Sequence, residues 1–109
     1  MAFDEALAQR LRNIFAARTD VTEKKMFGGL AFLVSGNMCC GVTGDRLMAR
    51  VGPEHYGEAL RLPHVHEMDF TRRPMKGFVY VAHEGIAKDT DLESWANICQ
   101  AFVETLPAK

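Results

Sequence analysis

The sequence predicts an α+β fold, a two-layer α/β sandwich in which helices pack on a mainly antiparallel sheet. Apolar residues recur with a helical period at both ends of the chain and alternate with a period of two in the middle, where glycine-containing turns separate the segments. A chain of 109 residues is long enough for one domain with one core. We therefore expect a single domain, 1–109, with the order α-β-β-β-β-α-β-β-α.

The first half of the chain is predicted to be a helix followed by a β-meander. An amphipathic helix is expected over Phe3–Ala17, where apolar residues recur every three or four positions. Ser35-Gly36-Asn37 and Gly44-Asp45 are typical of tight hairpin turns. They separate strands predicted at Lys24–Phe27, Leu30–Ser35, Met38–Thr43 and Arg46–Val51.

The second half is predicted to be helix, two strands and helix. A short helix is expected from Glu54 to Leu60. Pro53 suits the first helical position, and Pro63 disfavours continuation of the helix. Strands follow at Val65–Phe70 and Gly77–Ala82. Thr90 and Glu93 form the pattern of a capping box that opens the last helix. The apolar stripe of that helix consists of Leu92, Trp95, Ile98, Cys99, Phe102, Val103 and Leu106.

Several predicted strands are apolar on both faces, although a helical layer covers only one side of a sheet. We expect a second copy or another partner to cover part of the other side. The alternative is a set of helices that wraps around a curved sheet. The methionines of the sheet half either fill the core or form an adaptable contact surface. The residues of the possible interaction surface are Leu33, Arg46, Met48, Arg50 and Val79.

Met26, Phe27, Gly28 and Gly29 are interpreted as a structural corner. A strand follows the glycine pair, so no helix N-terminus faces an anion there, and the lysine and hydroxyl residue of a phosphate loop are missing. The glycines instead favour a sharp corner, a bulge or the close approach of another backbone.

The cysteines are interpreted as small buried hydrophobic residues. Cys39 and Cys40 would point to opposite faces of a regular strand and could not jointly hold a metal ion. Cys99 lies on the apolar stripe of the last helix. Three cysteines, an odd number, without a predicted signal peptide indicate reduced thiols, and we expect a cytoplasmic protein that is not in the membrane.

His64 and His66 would share a face of a strand, as some metal-binding histidines do. Partly exposed, ordinary histidines are the favoured interpretation, and metal binding is the alternative. Neither of the two serines lies in a nucleophile elbow, and no carboxylate pair stands out. We therefore expect neither enzyme activity nor a cofactor.

Arg72, Arg73 and Lys76 form one basic cluster, and Lys24 with Lys25 forms another. Solvated loop charge is the ordinary interpretation of such short runs, and nucleic-acid contact is the alternative. A net charge of -1 argues against direct nucleic-acid binding, which requires a basic surface.

The segment K-K-M-F-G-G-L-A-F-L-V-S-G-N-M, Lys24–Met38, resembles the N-terminal domain of the TfoX/Sxy family of bacterial competence regulators. D-R-L-M-A-R-V, Asp45–Val51, and the strand Gly77–Val81 fit the same pattern. The resemblance implies a fold like that of type III secretion chaperones, which commonly dimerise. It also implies a link to transcriptional control of DNA uptake, alongside another regulator. This chain resembles a stand-alone, single-domain member.

Three functions remain open at this point. The first is a regulatory protein-interaction module that self-associates through its sheet as a homodimer, with a transcription regulator as the candidate for its further, unknown protein partner. The second is a regulator that contacts DNA directly through Arg72, Arg73 and Lys76. The third is a binder of small molecules or metals, or a minor enzyme, that uses the Gly28-Gly29 corner and the histidines.

Overall fold

A computed structural model describes residues 3–26, 28–68 and 75–109 and confirms the α+β class with the predicted order of elements. The helices are α1 (Glu5–Ile14), α2 (Pro53–Leu60) and α3 (Asp89–Val103). The strands are β1 (Val21–Met26), β2 (Gly29–Val34), β3 (Asn37–Thr43), β4 (Arg46–Arg50), β5 (Val65–Glu67) and β6 (Phe78–Val81). A 3₁₀ turn at His83–Gly85, which the sequence analysis missed, precedes α3.

The strands form one six-stranded sheet in the order β1-β2-β3-β4-β6-β5, and every neighbouring pair is antiparallel. The meander follows from its turns. Ser35 and Gly36 connect β2 to β3 with positive φ angles of 50° and 84°, as a two-residue hairpin turn requires. β6 pairs with β4, and β5 pairs with the other side of β6, so β1 and β5 are the edges of the sheet.

The two long helices begin differently from one another. The side chain of Asp4 caps α1, because its Oδ1 accepts from the backbone N–H groups of Ala6 at 2.9 Å and Leu7 at 3.3 Å. The capping box predicted for α3 is wrong. The helix begins two residues earlier than a Thr90 cap would place it, at Asp89, with Lys88 at the cap position and no side-chain cap bond. Thr90 is therefore already inside the helix.

All three helices pack on the same face of the sheet, which we call the helix face. Leu30, Phe32 and Val34 of β2 point to it, and Phe15 of α1 stacks on Phe32 with ring centroids 5.6 Å apart. Leu11 from α1, Leu92 and Trp95 from α3, and Ala59 from α2 belong to the same buried cluster. The main core therefore lies between the helices and the sheet.

A polar network ties the ends of several elements together. The Arg18 guanidinium donates to Asp20 at 2.9 and 3.1 Å and to Glu104 at 2.8 Å. Ser35 Oγ also donates to Asp20, at 2.9 Å. Hydrogen bonds from Arg18 and Ser35 lower the pKa of Asp20 to about 2. The network joins the segment after α1 to the β2–β3 turn and to the residue that follows α3.

Within the described ranges, no helix has the combination of length and apolar character that crossing a membrane requires.

Candidate functional site on the outer face of the sheet

The face of the sheet opposite the helices, called the outer face here, carries its own buried layer. The fully or nearly buried members of this layer are Ala31, Met38, Met48, Met68 and Tyr80. Partly buried apolar side chains pack around them, namely Met26, Leu33, Met75 and Phe78. We call these nine residues the methionine cluster. Within the described part of the chain, no residue of α1, α2 or α3 belongs to it.

Because of the methionine cluster, only part of the predicted interaction surface is accessible to a partner. Leu33 and Met48 do lie on the outer face, as expected, but Met48 is fully buried within the single chain. The centre of the outer face therefore does not need a partner to be removed from water. The rim, where Leu33 remains partly exposed, is the part that a partner can reach.

Val79 is not on the outer face. It pairs with Ala49 across β4 and β6, both side chains belong to the helix-facing core, and Val79 is fully buried. The expectation that it forms part of a contact surface is wrong. The physical reason is register, since residues one apart on a strand point to opposite faces and only Phe78 and Tyr80 of this strand point outward.

Basic side chains flank the methionine cluster. Lys24 lies directly opposite Ala31 on β1 and β2, so it shares the outer face, and it is exposed. The guanidinium carbon of Arg46 lies 3.8 Å from the centroid of the Tyr80 ring, which places the charge on the outer face. Arg46 therefore covers one side of the ring and keeps its cation at the surface.

Arg50 lies at the boundary between the outer face and α3. Its guanidinium carbon is 5.3 Å from the centroid of Phe78 and 5.4 Å from that of Phe102, and its Nη1 donates to the carbonyl oxygen of Met38 at 3.2 Å. Burial lowers the pKa of this guanidinium. Arg50 therefore has a structural role at the end of β4 in addition to its charge.

A groove of about 580 Å³ lies between the start of α2 and one side of α3. It was not predicted. Ile98 lines it and is 37% exposed, although the sequence places this residue on the buried stripe of the last helix. That expectation is wrong because α3 buries a narrower stripe, consisting of Leu92, Trp95, Ala96, Cys99 and Val103. No sequence signal separates a wide buried stripe from a narrow one.

The three cysteines meet in the core. The pairing of β2 with β3 shifts between Phe32 and Leu33, whose partners are Cys40 and Met38, so Cys39 is the extra residue of a β-bulge. Cys39 and Cys40 therefore both lie on the helix face, and the expectation that they point to opposite faces is wrong. The expectation that all three cysteines are buried is confirmed, and all three are free thiols.

Cys99 of α3 completes the cluster of thiols. Interaction with the neighbouring Cys40 and Cys99 thiols lowers the pKa of Cys39. Interaction with Cys39, together with burial, raises the pKa of Cys40 and Cys99 well above the ordinary thiol value. The chain's strongest nucleophiles are thus enclosed between β3 and α3, away from either surface.

The glycine corner is confirmed as a structural feature. Gly28 has a φ of 72°, which glycine adopts without strain. Gly29 lies so close to β3 that a Cβ atom there would overlap the carbonyl oxygen of Val42. Close approach of another backbone is therefore the reason for the second glycine. Met26 belongs to the methionine cluster, and Phe27 lies outside the described residues.

The two histidines do not form the expected pair. His64 has a φ of 68° and precedes β5, so it is not part of a regular strand and the two side chains do not share a strand face. His66 lies opposite Tyr80, on the outer face, and both histidines are exposed. Across the three described ranges, no three His, Cys, Asp or Glu side chains are grouped so that they could hold a metal ion.

Of the basic residues named as possible nucleic-acid contacts, Lys76 is exposed in the turn before β6. Arg72 and Arg73 lie outside the described residues.

One family model matches the sequence over residues 13–103 and describes a TfoX N-terminal domain. The match spans all six strands, α2, α3 and the end of α1, and it includes the glycine corner and the methionine cluster. No curated protein and no solved structure gives a significant match.

Proposed function

This chain belongs to the TfoX N-terminal domain family, and on that premise we propose that it is a non-enzymatic regulatory domain that acts by binding another protein. Membership identifies a domain of the general kind found in competence regulators. The finer proposal is that the outer face of the sheet is the docking surface. A transcription regulator is the class of partner that the regulatory role favours.

The composition of the outer face carries this proposal. It is the sheet face on which none of the described helices packs, and its rim consists of the partly exposed apolar side chains Met26, Leu33, Met75 and Phe78. Methionine side chains repack at low cost, so such a rim suits contact with another protein. The enclosed thiols support the non-enzymatic part of the proposal, because a nucleophile must reach its substrate.

The partner of this face is a different protein rather than a second copy of the chain. A two-fold dimer brings the same patch of both subunits together. Through the outer face, such a dimer would bring together two patches that both carry Lys24 and Arg46. Like charges brought together in an interface are unfavourable. A homodimer, if one forms, would therefore use another surface.

Photo-crosslinking in cells tests the docking surface. A photoreactive amino acid at Leu33 places the probe on the outer rim, and one at Ala6 places it on the exposed side of α1. We expect a discrete adduct with a protein of different sequence from position 33 and none from position 6. Equal adducts from both positions, or no protein adduct from a folded position-33 variant, would contradict the proposal.

Transcript profiling tests the regulatory role. Leu33→Asp at the chromosomal locus should reproduce the transcript changes caused by deleting the gene, whereas Ala6→Asp should not. Thermal unfolding of the purified variants shows whether each one folds, and Met26→Asp serves as a second rim variant. A folded rim variant with a wild-type transcript profile would count against a regulatory contact at this face.

A further inference from the structure

We propose that the outer face recognises an acidic segment of its partner protein, an inference that rests on the docking role proposed above. The charged residues of the six strands are distributed unevenly, since both carboxylates lie on the helix face and three of the four lysine and arginine side chains lie on the outer face. Lys24 and Arg46 lie on the outer face. The strand carboxylates, Glu23 and Glu67, lie on the helix face. The outer face is therefore basic, although the chain as a whole has a net charge of -1.

The register of the sheet establishes this distribution. Glu23 lies opposite Phe32, a residue of the helix-facing core, and it forms an ion pair with Arg12 of α1 at 2.8 Å. Glu67 lies opposite Val79, which belongs to the same core. Both carboxylates thus point away from the outer face, and neither can neutralise its cations across a strand pair.

The outer cations are also uncommitted within the described part of the chain. Arg10, Arg12 and Arg18 each form an ion pair with a carboxylate. Lys24 and Arg46 form no ion pair with any described residue. Arg46 is instead held over the Tyr80 ring. This contact fixes the position of the charge without neutralising it. A carboxylate that approaches from a partner would meet an oriented guanidinium, which can bind both carboxylate oxygens.

Several features favour an acidic protein segment over nucleic acid. Single-stranded nucleic acid needs exposed aromatic rings on which bases can stack. Tyr80 is only 4% exposed with Arg46 over its ring, which leaves Phe78 as the one partly exposed ring of this face among the described residues. Met26 and Leu33 are partly exposed on the same face as the cations, and their apolar side chains suit an amphipathic peptide better than a phosphate backbone.

Binding of a defined acidic probe by the purified full chain tests the inference. The probe is a fluorescein-labelled peptide of alternating glutamate and leucine, and its matched control has lysine in place of glutamate. Anisotropy at low and physiological salt measures affinity, and amide NMR shifts locate the contact. We expect the glutamate peptide to bind, to weaken as salt rises, and to shift amides of residues 22–26 and 46–50.

A pair of neighbouring lysines supplies the control for charge. Lys24 and Lys25 are adjacent on β1, both are exposed, and they point to opposite faces, since Lys25 lies opposite Leu30 of the helix-facing core. Lys24→Glu should weaken binding of the glutamate peptide by about fivefold or more. Lys25→Glu changes the net charge equally and should weaken binding by less than about twofold. Arg46→Glu should match Lys24→Glu.

Three results would overturn the acidic-segment inference. The first is an equal effect of Lys24→Glu and Lys25→Glu, which would indicate net charge alone. The second is the absence of binding by the glutamate peptide. The third is a preference of the outer face for single-stranded or duplex DNA over the glutamate peptide, with loss of DNA binding in Lys24→Glu. Adducts at Leu33 without glutamate-peptide binding would leave the docking surface in place and remove only the acidic partner.

Discussion

Cys39 and Cys40 are consecutive residues of one strand, yet both lie in the core between the sheet and the helices. A β-bulge causes this arrangement, because it inserts Cys39 as an extra residue between the partners of Phe32 and Leu33. The bulge brings both thiols to Cys99 of α3. The strand and the closing helix therefore both contribute free thiols to the same core.

Thiol labelling tests the closure of this core. All three cysteines have no exposed surface, so a reagent reaches them only when the structure opens. We expect an aromatic disulfide reagent to react with the native protein at least about 100-fold more slowly than with the denatured chain, in which three thiols become available. Rapid reaction of one thiol in the folded protein would contradict the burial of this cluster.

Gly29→Ala should be strongly destabilising. The new methyl group would overlap the backbone oxygen of Val42, which cannot move without disturbing the pairing of β2 with β3. We expect a loss of about 2 kcal/mol or more in the free energy of unfolding, measured with urea. Gly57→Ala is the matched control. A Cβ atom at Gly57 meets nothing within 4 Å inside α2, so the same change there should stabilise by about 0.5–1 kcal/mol.

Asp4→Ala and Thr90→Ala should differ although aspartate and threonine are both residue types that commonly cap helices. Asp4 accepts two backbone hydrogen bonds at the start of α1, and its removal should cost about 1 kcal/mol. Thr90 makes no cap bond, so its removal should change the free energy of unfolding by less than about 0.5 kcal/mol. Thermal unfolding of both variants checks the difference. An equal loss of unfolding free energy in the two variants would indicate that Thr90 does cap α3.

Acid should weaken the fold through Asp20. The pKa of this carboxyl falls from 3.8 to about 2 because Arg18 and Ser35 donate to it. A group whose pKa is lowered in the folded state contributes stability at higher pH, and that contribution disappears as the pH falls from about 4 to about 2. Asp20→Asn should therefore show a shallower decline of the unfolding free energy over this range, measured by urea titration.

The residual decline in Asp20→Asn should come in part from Glu23, whose pKa is lowered by its hydrogen bond with Arg12. Asp45→Asn, which removes a carboxylate of the exposed β3–β4 turn, is the control for the change in net charge. Identical curves for Asp20→Asn and the wild type would show that the Arg18 network does not act through the Asp20 charge.

The sequence by itself determined the class of fold, the order of the elements and the meander. Those features depend on local rules, namely the periods of apolar residues and the positive φ angles that Gly36 and Gly44 supply. It also determined that Gly29 serves the sheet. The family could be identified from the same segment, because Lys24–Met38 contains both the glycine corner and the turn between β2 and β3.

Only the tertiary structure decided which side chains face which layer. The extra residue Cys39 interrupts the alternation of side chains along β3. The interruption depends on how β3 pairs with β2, which the sequence of β3 alone does not specify. The width of the buried stripe of α3 left Ile98 beside a groove. Residues far apart in sequence, such as Ala31 and Met68, buried the centre of the outer face and left its cations at the rim. Local periodicity specifies an element, but the neighbours of each side chain are set by packing between elements that are distant in sequence.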